Sequence, residues 1–266
     1  MTITAACVDV TGSSRAMDVA YIEDNTVRLA RLNNVQSLYI WIAENEPQVL
    51  AIDAPSATNK NCIALNPGAN GIPKGKYENF RVCEAKLRIK GIGLYNTPRS
   101  EPPTWIERGW EIYEKVQSQG YKLYRDPGVV KFDSSEKYVF EVHPHASFVV
   151  GLGWIPQTKS SLAGQVERIA YLRKQSELFG FDMTETALSR ELLSEFQSAF
   201  ANWDKILTDG LDFPEISHDE LDSIAGLFTA QNAISKEAYA TGIADDGVIV
   251  TPTKLADITY CTKSRS

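Results

Sequence analysis

Short apolar runs separated by turn signals dominate the first fifty residues of the chain. Three of these runs predict β-strands, at 3–10, 17–23 and 26–31. The dipeptide Asp24-Asn25 stands between the second and third runs and is typical of a tight hairpin turn. Apolar residues then recur every three to four positions over 35–44, which predicts a helix, and the continuous apolar run over 48–53 predicts a strand buried on both faces.

The order of these elements determines where two aspartates lie. A hairpin followed by a helical crossover would make the fourth strand parallel to the first, with the usual right-handed connection. Asp9 and Asp53 would then end neighbouring parallel strands on the same side of the sheet. Open α/β sheets bind their ligands at that edge, so the pattern predicts a functional site there.

The rest of the chain begins with a long segment at about 56–104 that is rich in Asn, Gly and Pro. We interpret this segment as an insertion, since loops of that length are often functional. Apolar spacing predicts helices at 77–90, 102–119, 162–179 and 192–207, and strands at 138–142 and 247–250. A further helix begins after Ser217, which has the capping-box spacing to Glu220. With 266 residues, the chain is predicted to form a single α/β domain over 1–266.

Composition narrows the class of protein. The chain is 43% hydrophobic and 23% charged, as in ordinary globular proteins. Its net charge is −7, whereas a protein that neutralises many phosphates is usually basic, so a tight non-specific nucleic-acid binder is disfavoured. The four cysteines lack C-x-x-C spacing and predict reduced thiols. No apolar run approaches the roughly 20 residues of a membrane span, and the N-terminus lacks the basic region of a signal peptide, so a cytoplasmic protein without membrane contact is expected.

Four aspartates are the strongest candidates for chemistry. Asp9 and Asp53 end buried strands, where a carboxylate costs free energy unless it is paired or bound to a cation. Asp219 and Asp222 lie three residues apart on one face of the late helix, and the small residues that follow them would let this helix approach the sheet. Taken singly, Asp53 could cap a turn, and the helical pair could offset the helix dipole. Together the four predict an oxygen-only cage of the kind that Mg²⁺ or Mn²⁺ prefers.

Glu141, two histidines and two arginines are further candidates. Glu141 lies in an apolar strand just before His143, and it could be a catalytic or metal-binding carboxylate or the partner of a buried cation such as Arg81. Arg81 and Arg88 lie in the inserted segment and could bind a substrate phosphate in a bidentate manner, or form ion pairs. His143 and His145 could ligate a metal, although no third His or Cys has suitable spacing.

Five short motifs resemble a known family in their order and spacing. They are Val8-Asp9, the segments 51–55, 81–84 and 141–146, and the helical segment 218–225 with its D-x-x-D-[AS]-[LI]-A pattern. The helical pattern resembles that of RuvC-type Holliday junction resolvases, and the element order resembles the ribonuclease H-like superfamily. More closely, the whole set resembles the DUF429 family, whose members are described as predicted nucleases of ribonuclease H fold. The chain departs from the family's usual pattern after Asp9 and at Ser56, and neither change removes a candidate ligand.

The resemblance implies a ribonuclease H-like mixed sheet and a two-metal phosphodiesterase mechanism. Its cofactor would be Mg²⁺ or Mn²⁺, and its substrate a structured nucleic acid. One ion would activate a water for in-line attack, and the other would stabilise the leaving oxygen. By the same resemblance Asp9 would bridge both ions. The other members of the cage would be Asp53, Asp219 and Asp222, with Glu141 as a fifth catalytic candidate.

Two other functions remain open from the sequence. The opening strand-hairpin order and the turn after Asp9 are also similar to actin-like phosphotransferases and nucleotide hydrolases, although the sequence shows no second copy of the fold. A non-catalytic binding protein that keeps the fold would instead fill the carboxylate cage with Arg or Lys side chains.

Overall fold

The structure is a computed structural model that describes residues 3–12, 15–186 and 217–255. Within these residues, nine strands and seven helices form an α/β architecture. The strands are β1 Ala5–Asp9, β2 Met17–Glu23, β3 Thr26–Leu32, β4 Val49–Asp53, β5 Tyr121–Leu123, β6 Gly128–Val129, β7 Lys137–Val142, β8 Tyr239–Ile243 and β9 Gly247–Thr251. The helices are α1 Val35–Asn45, α2 Cys62–Leu65, α3 Val82–Ile89, α4 Thr104–Ser118, α5 Pro144–Leu152, α6 Leu162–Phe179 and α7 His218–Ile234, with a 3-10 turn at Ala69–Gly71.

All nine described strands belong to one mixed sheet. Its order is β3-β2-β1-β4-β7-β9-β8-β6, and β5 pairs with the first half of β7. β1 runs antiparallel to β2 and parallel to β4, and β4 in turn runs parallel to β7. The predicted antiparallel meander followed by parallel strands is confirmed, and the architecture is consistent with a ribonuclease H-like α/β fold.

Helices cover both faces of the sheet, and side chains of β1 and β4 alternate between the two cores. Cys7 and Ala51 pack on the side that holds α5, α6 and α7. Val8 and Ile52 pack on the side that holds α1 and α4. All four side chains are fully buried, which confirms that these strands are covered on both faces. Apolar burial of this kind stabilises the fold by about 25 cal/mol per Å².

Helix α7 lies very close to the sheet because a glycine faces β1. A Cβ atom at Gly226 would lie 2.2 Å from Sγ of Cys7 and 3.3 Å from a methyl group of Val142. A non-bonded contact of 2.2 Å does not occur between real side chains, so a larger residue fits there only if the Cys7 thiol rotates or the helix moves. The small residues in this helix therefore allow the close approach that the sequence predicts, and α7 contacts β1, β2 and β4.

Several predicted elements match the structure. The hairpin turn holds Asp24 and Asn25 at φ values of 48° and 61°, the left-handed conformations of a tight hairpin. The helices predicted over 102–119 and 162–179 are α4 and α6, with bounds that agree within two residues. The helix predicted over 192–207 lies outside the described residues. No helix in the described parts of the chain combines the length and apolar character needed to cross a bilayer.

One predicted helix start and one predicted helix cap differ from the structure, although α7 begins at His218 as predicted. The helix predicted over 77–90 begins later, as α3, because Tyr77 has a φ of 60°. The first turn of α3 is set instead by the Glu84 carboxylate, which accepts a hydrogen bond of 2.9 Å from the backbone N–H of Arg81. At the start of α7, Ser217 makes no side-chain capping bond, so the predicted capping box does not form.

Candidate functional site

Two aspartates end neighbouring parallel strands. Asp9 and Asp53 are the last residues of β1 and β4, and they are direct partners in the parallel register of these strands. Asp9 is 8% exposed, and the side chain of Asp53 is 25% exposed. The predicted placement of both carboxylates at the same edge of the sheet is confirmed.

Helix α7 adds two aspartates to this edge. Asp219 and Asp222 lie in its first two turns, and together with Asp9 and Asp53 they line one cleft of about 710 Å³. The close approach of α7 to β1 at Gly226 holds these turns over the strand ends. All four aspartates that the sequence singles out therefore lie at a single cleft, which we call the acidic cleft.

Burial and neighbouring charges shift the pKa values of three carboxyl groups in the acidic cleft. Burial raises the pKa of Asp9 well above its ordinary value, and repulsion from Asp222 and Asp219 adds to the effect. Burial also raises the pKa of Asp53, with further repulsion from Asp9 and Asp222. The pKa of Asp222 is raised by burial as well, although Lys159 opposes the shift. Shifts of this kind are typical of ligand-binding and catalytic sites.

One lysine reaches the acidic cleft from the loop before α6. Nζ of Lys159 lies 3.3 Å from Oδ2 of Asp222, and the side chain of Lys159 is 54% exposed. Arg168 also lines the cleft, but one of its terminal nitrogens donates to the carbonyls of Gln157 and Gly164. A cationic side chain in the cage is the feature expected of a non-catalytic binding protein, and Lys159 provides one such contact.

Two histidines at the start of α5 line the same cleft, His143 at the N-cap and His145 in the first turn. Nε2 of His143 lies 3.1 Å from the carbonyl oxygen of Gly93, and its Nδ1 lies 4.0 Å from Oδ1 of Asp53. Burial lowers the pKa of His143, and it lowers the pKa of His145 to about 4. Both imidazoles are therefore neutral at pH 7. The aspartates that line the cleft beside these histidines come from β1, β4 and α7. The spacing of His and Cys along the sequence cannot reveal these neighbours.

Glu141 and Arg81 form a buried ion pair behind the acidic cleft. Arg81 is 1% exposed and donates to both carboxylate oxygens of Glu141, at 2.9 and 2.5 Å, and to Glu84 at 2.8 Å. One oxygen of Glu141 also accepts a hydrogen bond of 2.7 Å from the backbone N–H of Ser56. The pair thereby holds the loop that follows Asp53. Of the two roles open to Glu141 from the sequence, the geometry shows the partner of a buried cation.

The structure does not bring the two arginines of the inserted segment into the acidic cleft. The guanidinium of Arg81 is bound by two carboxylates, as described above. Arg88 is exposed on α3 and lies 5.7 Å from the centre of the Phe80 ring. Among the residues that the structure describes, Arg15, Lys159 and Arg168 are the Lys and Arg side chains that line the acidic cleft.

Two buried polar residues of α4, which sequence reasoning missed, hold the loops beside the aspartates. Nη1 of Arg108 donates to the carbonyls of Thr11 and Gly12, in the loop after β1, at 3.1 and 3.0 Å. The hydroxyl of Tyr113 donates to the carbonyl of Ala54, in the loop after β4, at 3.1 Å. Arg108 and Tyr113 lie on the buried face of the helix, and polar groups at such positions are the signal that could have identified them.

The acidic cleft fits a hard divalent cation in donor chemistry and in charge. Carboxylate oxygens are the ligands that Mg²⁺ and Mn²⁺ prefer, and after burial, repulsion from neighbouring aspartates further raises the pKa values of Asp9 and Asp53. Across residues 3–12, 15–186 and 217–255, however, no three His, Cys, Asp or Glu side chains come close enough together to enclose an ion. The cleft therefore matches a divalent cation in the type and charge of its side chains, but these side chains do not lie at ligand distances from a common point.

Comparison with known proteins identifies the family. A family model described as "Protein of unknown function (DUF429)" matches residues 8–246, a range that includes all five candidate carboxylates. A comparison with curated proteins finds no match. Because the family model covers most of the chain, the protein belongs to the DUF429 family.

Proposed function

We propose that the protein is a divalent-metal-dependent phosphodiester hydrolase that cleaves nucleic acid. The observation that supports this most strongly is the acidic cleft, where one buried and two partly buried aspartates with raised pKa values come from two strand ends and one helix. Burying carboxylates together costs folding free energy, and a bound cation offsets that cost. Repulsion of this kind is typical of a site that binds a cationic ligand.

In this proposal Asp9, Asp53 and Asp222 hold the cation, and Asp219 completes the ligand set. When bound, a divalent ion supplies Lewis-acid stabilisation and a water of lowered pKa. The protein's own residues orient the carboxylates. Glu141 is a positioning residue, because it binds the backbone N–H in the loop after β4, and the two buried polar residues of α4 hold the same loop and the loop after β1.

The surroundings of the acidic cleft favour a substrate held at a few phosphates. Arg15 lines the cleft and is exposed, and Lys159 becomes available to phosphate oxygens once a cation displaces it from Asp222. Tyr95, which is 86% exposed, and Trp105 also line it and offer flat apolar surfaces on which unpaired bases stack. A net charge of −7 argues against contact along an extended backbone. We therefore propose a structured DNA or RNA with unpaired bases as the substrate.

Asp9→Asn is the sharpest test, because the amide keeps the shape of the side chain and removes its charge. We expect the rate of Mn²⁺-dependent cleavage of branched DNA or structured RNA to fall by more than about 100-fold. Substitution of a residue that only contacts a metal ligand typically costs about 10- to 100-fold, so a larger loss indicates a ligand. Asp18→Asn is the matched control. Asp18 is the cross-strand partner of Asp9 on β2 and is equally buried, at 8% exposure, but it does not line the cleft. Equal cleavage by the wild type and Asp9→Asn, or none by the wild type, contradicts the proposal.

A second candidate, a non-catalytic binding protein, is favoured by one contact. In that account the ammonium group of Lys159, 3.3 Å from Asp222, neutralises the cleft in place of a metal ion. The wild type would then bind no divalent ion at millimolar concentration. Removing the lysine would destabilise the fold and would not improve metal binding.

A further inference from the structure

The two ring nitrogens of His143 have different surroundings. Nε2 lies 3.1 Å from the carbonyl oxygen of Gly93, and Nδ1 lies 4.0 Å from Oδ1 of Asp53. A carbonyl oxygen accepts hydrogen bonds and cannot donate one, so Nε2 carries a proton. In the neutral ring Nδ1 then keeps its lone pair, and this lone pair faces the side of the ring on which Asp53 lies.

A lone pair and a carboxylate that face each other do not stabilise each other. Nδ1 of His143 and the carboxylate of Asp53 both present negative potential, so both favour a positive group between them. Their separation of 4.0 Å is too long for a direct hydrogen bond. The pair is therefore open to a third group that binds both atoms.

The hydrogen bond to Gly93 is the outer contact that metal-binding histidines commonly make. Donation of the other N–H to a backbone carbonyl fixes the tautomer and the ring orientation. The segment that carries the Gly93 carbonyl is anchored at its two ends, at Ile92 and at Thr97. Ile92 is fully buried, and Thr97 donates to the Glu84 carboxylate from its backbone N–H at 3.1 Å and from its hydroxyl at 2.5 Å. The segment between them is thus tied to α3, and His143 is oriented before any ligand binds.

We propose that His143 is a nitrogen ligand of the cation bound by the acidic cleft, so that the cleft is a mixed nitrogen and oxygen site. This inference rests on the proposed metal-dependent function and goes beyond its oxygen-only ligand set. Imidazole nitrogen suits first-row transition ions, whereas Mg²⁺ takes oxygen ligands and keeps much of its water. The site therefore selects Mn²⁺ or another first-row transition ion over Mg²⁺.

Pulsed electron paramagnetic resonance of Mn²⁺ bound to the full chain tests the ligand without any need for activity. The method detects nitrogen nuclei bonded to the ion. The chain has three histidines, at positions 143, 145 and 218, so the double variant His145→Gln/His218→Gln leaves His143 as the sole imidazole. We expect the wild type and the double variant to show the same imidazole ¹⁴N modulation. We expect His143→Gln to lose it, with Mn²⁺ affinity reduced at least about tenfold and Mg²⁺ affinity nearly unchanged.

The possible failures are distinguishable. If Mn²⁺ binds the wild type without an imidazole nitrogen signal, or if the signal survives in His143→Gln, this inference is overturned and the proposed function stands. If the wild type binds no Mn²⁺ at millimolar concentration, both are overturned. Labelling the wild type with ¹⁵N-histidine changes no residue and should convert the ¹⁴N pattern to that of ¹⁵N. This measurement keeps the inference testable even where a variant fails to fold.

Discussion

The two candidate functions assign different partners to the Asp222 carboxylate: a divalent cation in one and the ammonium group of Lys159 in the other. Burial raises the pKa of Asp222, and Nζ of Lys159 lies 3.3 Å from its carboxylate. Ion pairs of exposed lysines contribute about 0.2–1 kcal/mol, and the Lys159 side chain is half exposed. Such a pair is weak enough for a divalent cation to displace the ammonium group. In the proposed function Lys159 therefore competes with the metal ion for Asp222.

Lys159→Gln is predicted to tighten Mn²⁺ binding about two- to fivefold, because it removes a competing ion pair worth about 0.5–1 kcal/mol. Lys174→Gln is the control, since Lys174 is exposed on α6 and does not line the acidic cleft, and its dissociation constant should equal that of the wild type. Isothermal titration calorimetry measures both variants. If Lys159→Gln leaves metal binding unchanged and lowers the free energy of unfolding, the lysine is a structural counter-ion and the second candidate is favoured.

At the residue scale, the acids of the candidate site are easier to predict from the sequence than the side chains that contact them. Asp9 and Asp53 are predictable because a strand order and a parallel register together place two strand ends side by side. Lys159 is not predictable, because it lies in a loop 63 positions from Asp222 and the contact arises from tertiary packing. The role of Glu141 likewise depends on a distant arginine that no local pattern identifies as its partner.

At the element scale, the packing of α7 on β1 determines the position of Asp222. Asp222 and Gly226 are four residues apart, so they share one face of the helix. Gly226 lies so close to Cys7 that no side chain fits between the two elements. Any shift of α7 away from β1 moves Asp222 away from the strand-end aspartates.

Gly226→Ala is therefore predicted to destabilise the protein by about 1–3 kcal/mol, the usual cost of overpacking. At a solvent-exposed position within a helix, a Gly-to-Ala change stabilises a protein by about 0.5–1 kcal/mol. The sign of the change in the free energy of unfolding therefore distinguishes a tightly packed position from an exposed one. Urea unfolding measures it. Cys7→Ala removes the sulfur that the new methyl group would meet, so the double variant should cost less than the sum of the single variants. Wild-type stability of Gly226→Ala would contradict tight packing between Gly226 and the Cys7 side chain.

Elements with strong apolar periodicity are predictable, whereas elements that depend on their neighbours are not. The hairpin, α4 and α6 follow from their own sequence patterns. β8 was not predicted, because the Ala, Thr and Gly at its centre do not form a distinct strand pattern, yet all five of its residues pair with β9. α3 begins late because a capping carboxylate, and not apolar spacing, sets its first turn.

At the scale of the whole molecule, the net charge of −7 is partly concentrated in one cleft. Composition predicts the shortage of basic surface, but it cannot show where the acids gather, because that depends on the folding of distant strands and a late helix. A cation held by these acids would supply positive charge at the point where a phosphate binds. This would allow an acidic protein to act on a phosphodiester.

The raised pKa values of Asp9, Asp53 and Asp222 make the metal-free fold sensitive to pH. These acids bind protons more tightly in the folded chain than in the unfolded chain, where the pKa of an aspartate is about 3.9. The stability they contribute is therefore present below that pH and is lost as the pH rises through the folded values. A divalent cation replaces those protons, so its stabilising effect should grow as the pH rises.

Calorimetric titration of the metal-free wild type with Mn²⁺, at pH 5 and at pH 8, tests most directly whether the acidic cleft binds a divalent cation. We predict saturable binding at pH 8, weaker binding at pH 5 because protons compete for the same carboxylates, and loss of binding in Asp9→Asn. No binding by the wild type at millimolar Mn²⁺ and pH 8 would contradict the account.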